Sequence, residues 1–329
     1  MILSMFKKQL WTIAKKEFTD AWKESLFLTL LVFLLLLTGI SLLVASFNFQ
    51  AQVAEYTQAL AQLTQMGLHG ATLTKPEYFP LQMLRGTIEY LEIIGAIIGI
   101  ILGYLSISKE KGNRTTELLF SRPVSNMAII GGKLVGNSLL LLVILAFIAL
   151  FVIGSISGLG HVTFGQLELI KLAYGIAFSY VYLMVFYSLS AILTIIIKNS
   201  PHALIISFVI WLLIVLVIPQ IGDTMDPDNQ VPGGFFASMH MTKPQEKQVV
   251  AKFKTYETLR NALEESSVEK HYERATFAVL GIKDMYNGKP LTYIFQDQWG
   301  NVAWISGYFL VGMLGTILAW SRFSSYSHD

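Results

Sequence analysis

Six apolar runs with almost no ionisable residues impose the strongest constraint on how this chain can fold. Asp, Lys, Arg and His are absent from all six, and the only Glu is Glu92, near the start of the second. About 20 apolar residues suffice for a helix to cross a hydrocarbon core of roughly 30 Å. Because lipid cannot satisfy free backbone groups, the runs predict an all-α integral membrane protein with six transmembrane helices. The runs are Leu26–Phe47, Tyr90–Ser108, Leu134–Ser157, Leu172–Ile197, Ala203–Ile221 and Val302–Trp320.

The composition agrees with a membrane protein. Hydrophobic residues make up 53% of the 329 residues, and charged residues only 14%. A soluble domain carries about 25% charged residues. The chain has no cysteine, which excludes disulfides, thiolate chemistry and cysteine-ligated metals. The net charge of +2 gives no indication of a nucleic-acid partner, and we expect none.

The distribution of basic residues predicts the orientation. An even number of spans places both termini on one side, together with the loop 109–133 and the turn 198–202. The short segments on that side carry Lys7, Lys8, Lys15, Lys16, Lys23, Lys109, Lys111, Arg114, Arg122, Lys133, Lys198 and Arg322. The short segments on the other side carry only Lys75, Arg85 and Lys171. Because cytoplasmic loops are enriched in Lys and Arg, we expect both termini to be cytoplasmic.

Residues 1–25 precede the first run and are predicted to form a cytoplasmic amphipathic helix. Trp11, Phe18 and Trp22 recur at helical spacing among five lysines, which suits a helix lying in the inner membrane interface. A plain basic anchor with interfacial aromatic residues is the alternative interpretation. The remaining predicted parts are residues 26–221 with five spans, an outer insert at 222–300, and residues 301–329 with the sixth span and a cytoplasmic tail.

The outer insert between the fifth and sixth spans carries two helix-start signals. Thr242-Lys-Pro-Gln245 is a capping box with Pro just inside, and it predicts a helix through about Glu264. Ser266, followed three residues later by Glu269, indicates a second helix. We therefore expect a small helical extracytoplasmic insert.

The sequence Gly131-Gly132-Lys133 is the closest approach to a phosphate-binding loop, but it lacks two required residues. Leu134 follows where Ser or Thr is needed, and Met127 stands at the position of the first Gly. We therefore expect no nucleotide site and no other cofactor site in this chain.

Glu89 and Glu92 are the carboxylates nearest to a span. Both lie at the outer end of the second run, where the positive end of the helix dipole stabilises negative charge. They are either an interfacial pair or a candidate outer gate. An intramembrane hydrolase needs ionisable groups at depth, and the middle of every run lacks them. We therefore predict a non-catalytic subunit and keep the hydrolase as the alternative.

Small residues repeat at four-residue spacing on the second run, at Gly95, Gly99 and Gly103. This spacing lets a neighbouring helix approach closely, because small side chains allow backbone contact. The stripe predicts either packing within one chain or a face that moves or forms a dimer.

The loop 109–133 is the longest polar stretch between two runs on the basic side, and it contains a short apolar core. In this stretch the chain resembles the ABC-2 family of ATP-driven transporter permeases, in particular the sodium-efflux and copper-site-maturation branches. The matching residues are Glu110, Gly112, Thr115 or Thr116, Glu117-Leu118-Leu119, Arg122-Pro123-Val124-Ser125 and Gly132-Lys133.

The resemblance implies that this loop is a coupling helix that docks on an ATPase subunit. Leu118, Leu119 and Phe120 would supply an apolar knob, Glu117 and Arg122 would form charge-assisted hydrogen bonds, and Pro123 would end the helix. The docking residues implied are Glu110, Gly112, Thr116, Glu117, Leu118, Leu119, Phe120, Arg122 and Pro123.

The resemblance also implies the partners and the location. ATP and Mg would bind in the ATPase subunit, and a second permease chain would complete a homo- or heterodimer. The protein is then expected in the cell membrane of a prokaryote, as part of an exporter. A channel or scaffold that is not driven by ATP is the third interpretation.

Overall fold

The computed structural model describes residues 2–66, 79–112, 124–160, 164–224, 239 and 242–326. All regular structure within these ranges is helical, and six of the helical stretches are long and apolar enough to cross a membrane. The predicted all-α fold with six spans is therefore confirmed. We number these stretches as the first to sixth spans: Ser25–Gln65, Pro80–Lys111, Asn126–Gly158, Gln166–Ile196, Ser200–Gly222 and Trp299–Ser324.

The first span continues well beyond its apolar run. Its helix has 41 residues, which corresponds to about 60 Å at 1.5 Å per residue. The hydrocarbon core is only about 30 Å thick, so the part after Phe47 extends past it. The third, fourth and sixth spans belong to helices at Asn126–Gly160, Gln166–Ile196 and Trp299–Tyr326.

The second span begins ten residues earlier than its apolar run predicts. It opens with a 3-10 turn at Pro80–Leu84, continues as α-helix over Arg85–Tyr90, changes to a π-helix over Leu91–Gly95, and runs as α-helix over Ala96–Gly112. The fifth span has a similar π segment, at Leu213–Val217, between α-helices at Ser200–Leu212 and Ile218–Thr224. Such π segments are rare and are often found at functional sites.

The second and fourth spans form the centre of the bundle. In the most apolar stretch of the second span 72% of the residues are buried, against 11% in the sixth span. A Cβ atom at Gly99 would lie 2.6 Å from the backbone oxygen of Leu183, and one at Gly103 would collide with the backbone oxygen of Tyr187. Gly95 lies against the Leu183 side chain. The glycine stripe therefore packs on the fourth span of the same chain.

The insert 222–300 between the fifth and sixth spans is helical where the structure describes it. Its helices are Lys243–Val250, Lys254–Ser266, Val268–Leu280 and Leu291–Asp297, with 3-10 turns at Ala251–Phe253 and Asp284–Tyr286. We call Val268–Leu280 the cap helix, and the end of the bundle on which it lies the cap face. The opposite end, where the second span ends and the third begins, is the loop face.

The two helix-start signals of the insert had different outcomes. Gln245 Oε1 accepts hydrogen bonds from the backbone N–H and the hydroxyl of Thr242, both at 2.9 Å, and the helix begins at Lys243. That helix was expected to continue to about Glu264, but a 3-10 turn at Ala251–Phe253 interrupts it. The second signal was misplaced by one residue. The cap helix begins at Val268 with Ser267 at its N-cap position, and the Ser266 hydroxyl donates to the carbonyl of Leu263.

Candidate functional site

The loop face contains a buried cluster of charged side chains centred on Lys133. The Lys133 side chain is 1% exposed, and its ammonium lies 2.8 Å from Oε1 of Glu17 and 2.9 Å from Oε1 of Glu110. It also donates a hydrogen bond of 2.6 Å to the backbone oxygen of Ser106. An ammonium has three N–H donors, so these three acceptors saturate it. We call Glu17, Glu110 and Lys133 the lysine cluster.

The lysine cluster joins three parts of the chain that are distant in sequence. Glu17 lies on the N-terminal helix Ile2–Ala21, Glu110 near the end of the second span, and Lys133 near the start of the third. Breaking a buried ion pair by removing one partner costs about 3 to 5 kcal/mol, because the other charge is left without compensation. The cluster therefore holds both ends of the loop 109–133 against the N-terminal helix.

Two glycines of the third span let the N-terminal helix come close enough for these contacts. A Cβ atom at Gly132 would lie 2.7 Å from the Cβ of Ile13, and one at Gly136 would lie 2.5 Å from the backbone oxygen of Ala14. Real Cβ atoms do not approach other atoms so closely, so only glycine fits. Gly131-Gly132-Lys133 thus begins the surface of the third span on which the N-terminal helix packs. Sequence analysis missed this role; the available signal was the four-residue spacing of Gly132 and Gly136.

Three consecutive residues at the end of the second span contact three different parts of the loop face. Lys109 pairs with Glu24 at 2.6 Å, and Glu110 pairs with Lys133. The Lys111 ammonium donates hydrogen bonds of 2.7, 2.8 and 3.0 Å to backbone oxygens at the end of the fourth span. The carbonyls at the C-terminal end of a helix have no partner within the helix, and a lysine is favourable there. The carbonyls are those of Thr194, Ile195 and Ile197.

Lys111 also connects the second span to the sixth. Its ammonium lies 5.2 Å from the centre of the Phe323 ring, within the range of a cation–π contact. The base of the loop is therefore attached to the N-terminal helix, the third span, the fourth span and the sixth span.

The predicted docking residues fall into two groups. Glu110 is buried in the lysine cluster, where it holds the loop in place, and Gly112 is the last residue of the helix of the second span. The other predicted docking residues lie outside the described residues, so their contact with an ATPase stays a prediction. They are Thr116, Glu117, Leu118, Leu119, Phe120, Arg122 and Pro123.

On the cap face, the structure places Glu89 and Glu92 in different surroundings. Glu89 is exposed and pairs with Arg85 at 3.0 Å, one helical turn earlier. Glu92 is buried in the π segment of the second span, and its Oε1 has no hydrogen-bond partner among the residues that the structure describes. The Tyr182 hydroxyl of the fourth span donates to the backbone oxygen of Glu92 at 2.9 Å. The two carboxylates therefore do not act as one pair here.

The cap helix covers this part of the second and fourth spans through an aromatic contact. Tyr272 of the cap helix stacks on Tyr182, with ring centres 4.4 Å apart and planes 14° apart. The hydroxyls of Tyr272 and Ser179 lie within hydrogen-bond distance, at 2.7 Å. The cap helix is thus anchored on the fourth span, directly above the π segment of the second.

These features define a multi-pass membrane protein whose polar loop is braced at both ends. Compared with known families, the chain matches the family described as "ABC-2 family transporter protein" over residues 11–324. The chain therefore belongs to the ABC-2 transporter family and is an ABC permease. The matched range includes most of the N-terminal helix and all six spans. No curated protein matches the chain, and the resemblance to particular branches stays a prediction.

Proposed function

We propose that this chain is the permease subunit of an ABC exporter and that a separate ATPase subunit docks on the loop 109–133. The observation that carries the proposal is the bracing of both ends of that loop by Lys109, Glu110, Lys111 and Lys133. If the ends of the loop were flexible, a movement of the ATPase subunit would shift the loop without moving the spans. A braced loop passes that movement on to the helices that hold it.

The proposed orientation has the loop face in the cytoplasm and the cap face outside the cell membrane of a prokaryote. It is supported by the lysines of the loop face, because positively charged segments remain on the cytoplasmic side. The lysines of the N-terminal helix add to this charge, and several of them are exposed. The N-terminal helix then lies in the inner interface, with Trp11 exposed on its surface.

In this proposal the ATPase subunit binds ATP and Mg, and the permease performs no bond chemistry. Two permease chains, identical or different, form the membrane part of the transporter. ATP binding draws the two loops together, and each loop moves the N-terminal helix and the second and third spans that brace it. The close contact of Gly99 and Gly103 with the fourth span extends this movement to the centre of the bundle.

Co-purification from the native host tests the proposal. A tagged full-length chain extracted in mild detergent is expected to bring down an ATPase subunit and ATPase activity. Glu117→Arg reverses a charge in the expected contact and should abolish this capture. Glu55→Arg is the matched control, because Glu55 is an exposed glutamate of the first span beyond its apolar run.

Two results would overturn the proposal. The first is a purified chain without any ATPase subunit. The second is a captured ATPase whose amount and activity are the same with Glu117→Arg as with Glu55→Arg. The hydrolase alternative predicts instead that the purified chain alone has hydrolytic activity and loses it with Glu89→Gln or Glu92→Gln.

A further inference from the structure

The N-terminal helix packs on the third span with one side only. A Cβ atom at Gly131 would lie 3.3 Å from the side chain of Leu10, and Ala14, which lies against Gly136, is 2% exposed. The residues on the opposite side of the helix are exposed. The helix therefore has one side fixed to the bundle and one side turned away from it.

Four residues of the exposed side form a single patch. Residues three and four positions apart lie side by side on a helix. Lys7 and Lys8 precede Trp11 by four and three positions, and Lys15 follows it by four. All four are exposed, and Trp11 is 60% exposed. We call Lys7, Lys8, Trp11 and Lys15 the Trp11 patch.

The positive charge of the Trp11 patch is not neutralised by the rest of the N-terminal segment. The acidic residues of this segment are Glu17, Asp20 and Glu24. Each of them pairs with a lysine outside the patch, and these partners are Lys133, Lys23 and Lys109, respectively. Within the part of the chain that the structure describes, no ion pair involves a lysine of the patch. Its three ammonium groups therefore face the surroundings of the protein.

The contacts with the third span place the Trp11 patch at the depth of the lipid headgroups. The span has 33 residues, or about 50 Å of helix, and the hydrocarbon core is only about 30 Å thick. About 10 Å at each end of the span can therefore lie among the headgroups. The N-terminal helix contacts Gly131 and Gly136, which are the sixth and eleventh residues of this span. The first span also begins close by, at Ser25.

We propose that the Trp11 patch binds phospholipid headgroups of net negative charge. An exposed tryptophan favours the membrane interface, and lysine side chains can bury their apolar stems while the ammonium reaches a phosphate. Each lysine near an anionic membrane surface strengthens binding by about fivefold, because the surface attracts its charge. A headgroup that is neutral overall gives no such net attraction. The lysines therefore select among lipids, whereas the tryptophan alone would accept any of them.

Lipid binding at the Trp11 patch is connected to the loop 109–133 through the N-terminal helix. The side of the helix that binds the third span carries Glu17, which holds Lys133, and Lys133 holds Glu110. An anionic lipid on the exposed side therefore favours the position of the helix in which the lysine cluster is complete.

The effect of the lipid on transport rests on the proposed function, whereas the choice of lipid rests on the patch alone. In the proposed orientation these lipids belong to the inner leaflet. Lipid selection is measured on the permease without an ATPase subunit. Failure of the lipid proposal and failure of the transport proposal are therefore distinguishable.

Fluorescence quenching by brominated lipids tests the proposal. The full-length chain is reconstituted in vesicles of equal parts phosphatidylglycerol and phosphatidylcholine, and only one of the two lipids is brominated in each sample. The chain has six tryptophans, so the emission of Trp11 is obtained by subtracting that of Trp11→Phe. We expect the ratio of phosphatidylglycerol to phosphatidylcholine at Trp11 to exceed that of the vesicles by about fivefold or more. In about 1 M NaCl, where the Debye length is about 3 Å, the preference should be lost.

Two triple variants with the same change of charge separate the patch from the overall charge. The patch variant combines Lys7→Gln, Lys8→Gln and Lys15→Gln, and it should remove the preference at Trp11. The matched control removes three exposed lysines of the insert between the fifth and sixth spans, and it should keep the preference. Its substitutions are Lys252→Gln, Lys283→Gln and Lys289→Gln.

Three results would overturn the proposal. The first is a lipid ratio at Trp11 equal to that of the vesicles in the wild-type chain. The second is a preference that survives in the patch variant or in about 1 M NaCl. The third is a Trp11 that neither brominated lipid quenches, which would show that the patch faces water or a protein surface instead of a membrane.

Discussion

Nζ of Lys133 lies 2.8 Å from Oε1 of Glu17, although 116 positions separate the two residues in the sequence. This contact attaches the N-terminal helix to the start of the third span, and the contact of Lys133 with Glu110 attaches the end of the second. A movement imposed on the loop 109–133 therefore reaches three helices at once.

Removal of the Lys133 charge tests how strongly the lysine cluster holds the loop face. Lys133→Met leaves Glu17 and Glu110 buried without a cation, and we expect a loss of about 3 to 5 kcal/mol in the free energy of unfolding. Lys7→Met, on the exposed side of the N-terminal helix, should change it by less than about 0.5 kcal/mol. Equal effects of the two variants on thermal unfolding in detergent would contradict the role of the cluster.

Neutralising the whole lysine cluster distinguishes lost pairing from lost packing. In the triple variant Lys133→Met, Glu17→Gln and Glu110→Gln, no buried charge remains uncompensated. We expect this variant to recover part of the stability lost in Lys133→Met, because the cost of leaving a buried carboxylate without a cation is then absent. A triple variant as unstable as Lys133→Met would show that packing causes the loss.

Two glycines of the third span should differ in their tolerance of a methyl group. A Cβ at Gly136 meets the backbone of Ala14, whereas one at Gly154 has no atom of the described residues within 4 Å. Gly136→Ala should therefore cost about 1 to 3 kcal/mol through overpacking. Gly154→Ala should be neutral or more stable, by up to about 1 kcal/mol, because Ala favours the helix. Thermal unfolding of both variants under the same conditions compares them, and similar stabilities would contradict the close approach of the N-terminal helix.

The proposed orientation can be tested with single cysteines, because the chain contains none. His202→Cys lies at an exposed turn of the loop face, and Met285→Cys at an exposed position on the cap face, where the methionine is 62% exposed. In intact cells a membrane-impermeant maleimide should label Met285→Cys alone. After permeabilisation both should react. Labelling of His202→Cys in intact cells would show that the orientation is reversed.

The hydroxyl of Tyr286 should control the acid titration of Asp297. The hydrogen bond from Tyr286 is the main cause of the low pKa of Asp297, while burial and Asp297 raise the pKa of Tyr286 to about 12. A depressed carboxyl pKa contributes stability that is present above the unfolded value of about 3.9 and is lost as the pH falls through the folded value. Tyr286→Phe should therefore lose part of its stability in neutral solution and depend less on pH below about 4.

Thermal unfolding between pH 3 and pH 6 checks this prediction. Tyr293→Phe is the control, because Tyr293 is 44% exposed and its ring lies against the Lys289 ammonium, which is 5.5 Å from the ring centre. It should follow the wild type throughout this range. Identical acid profiles of Tyr286→Phe and the wild type would contradict the assignment.

The number of spans and their approximate places could be predicted from hydropathy, but the start of the second span could not. The apolar run begins at Tyr90, and the helix begins ten residues earlier at Pro80. The charged residues Arg85 and Glu89 lie just before the apolar run, so hydropathy does not include them in the span. In the structure they form an ion pair across one helical turn, and both side chains are exposed. The ion pair between Arg85 and Glu89 thus lets the second span begin before its apolar run.

The importance of the loop 109–133 was predictable from its polar, basic residues and its motif, but its bracing was not. The groups that hold Lys111 lie 83 to 86 positions away in the fourth span, and a local pattern carries no information about such contacts. Glu110 was expected to contact the ATPase, and this stays a prediction; the structure adds its burial against Lys133, which no local pattern indicated.

The segment Gly131-Gly132-Lys133 illustrates the difference between what the sequence determines and what the tertiary structure determines. The sequence by itself excluded a phosphate loop, because Leu134 cannot supply the hydroxyl that such a loop requires. It also determined the membrane class, because uncharged runs of this length must form spans. Only the tertiary structure decided what these three residues do: the glycines admit the backbone of the N-terminal helix, and that approach brings Glu17 to Lys133. A buried ammonium requires acceptors from whichever helices surround it, and their identity depends on the packing of the whole chain.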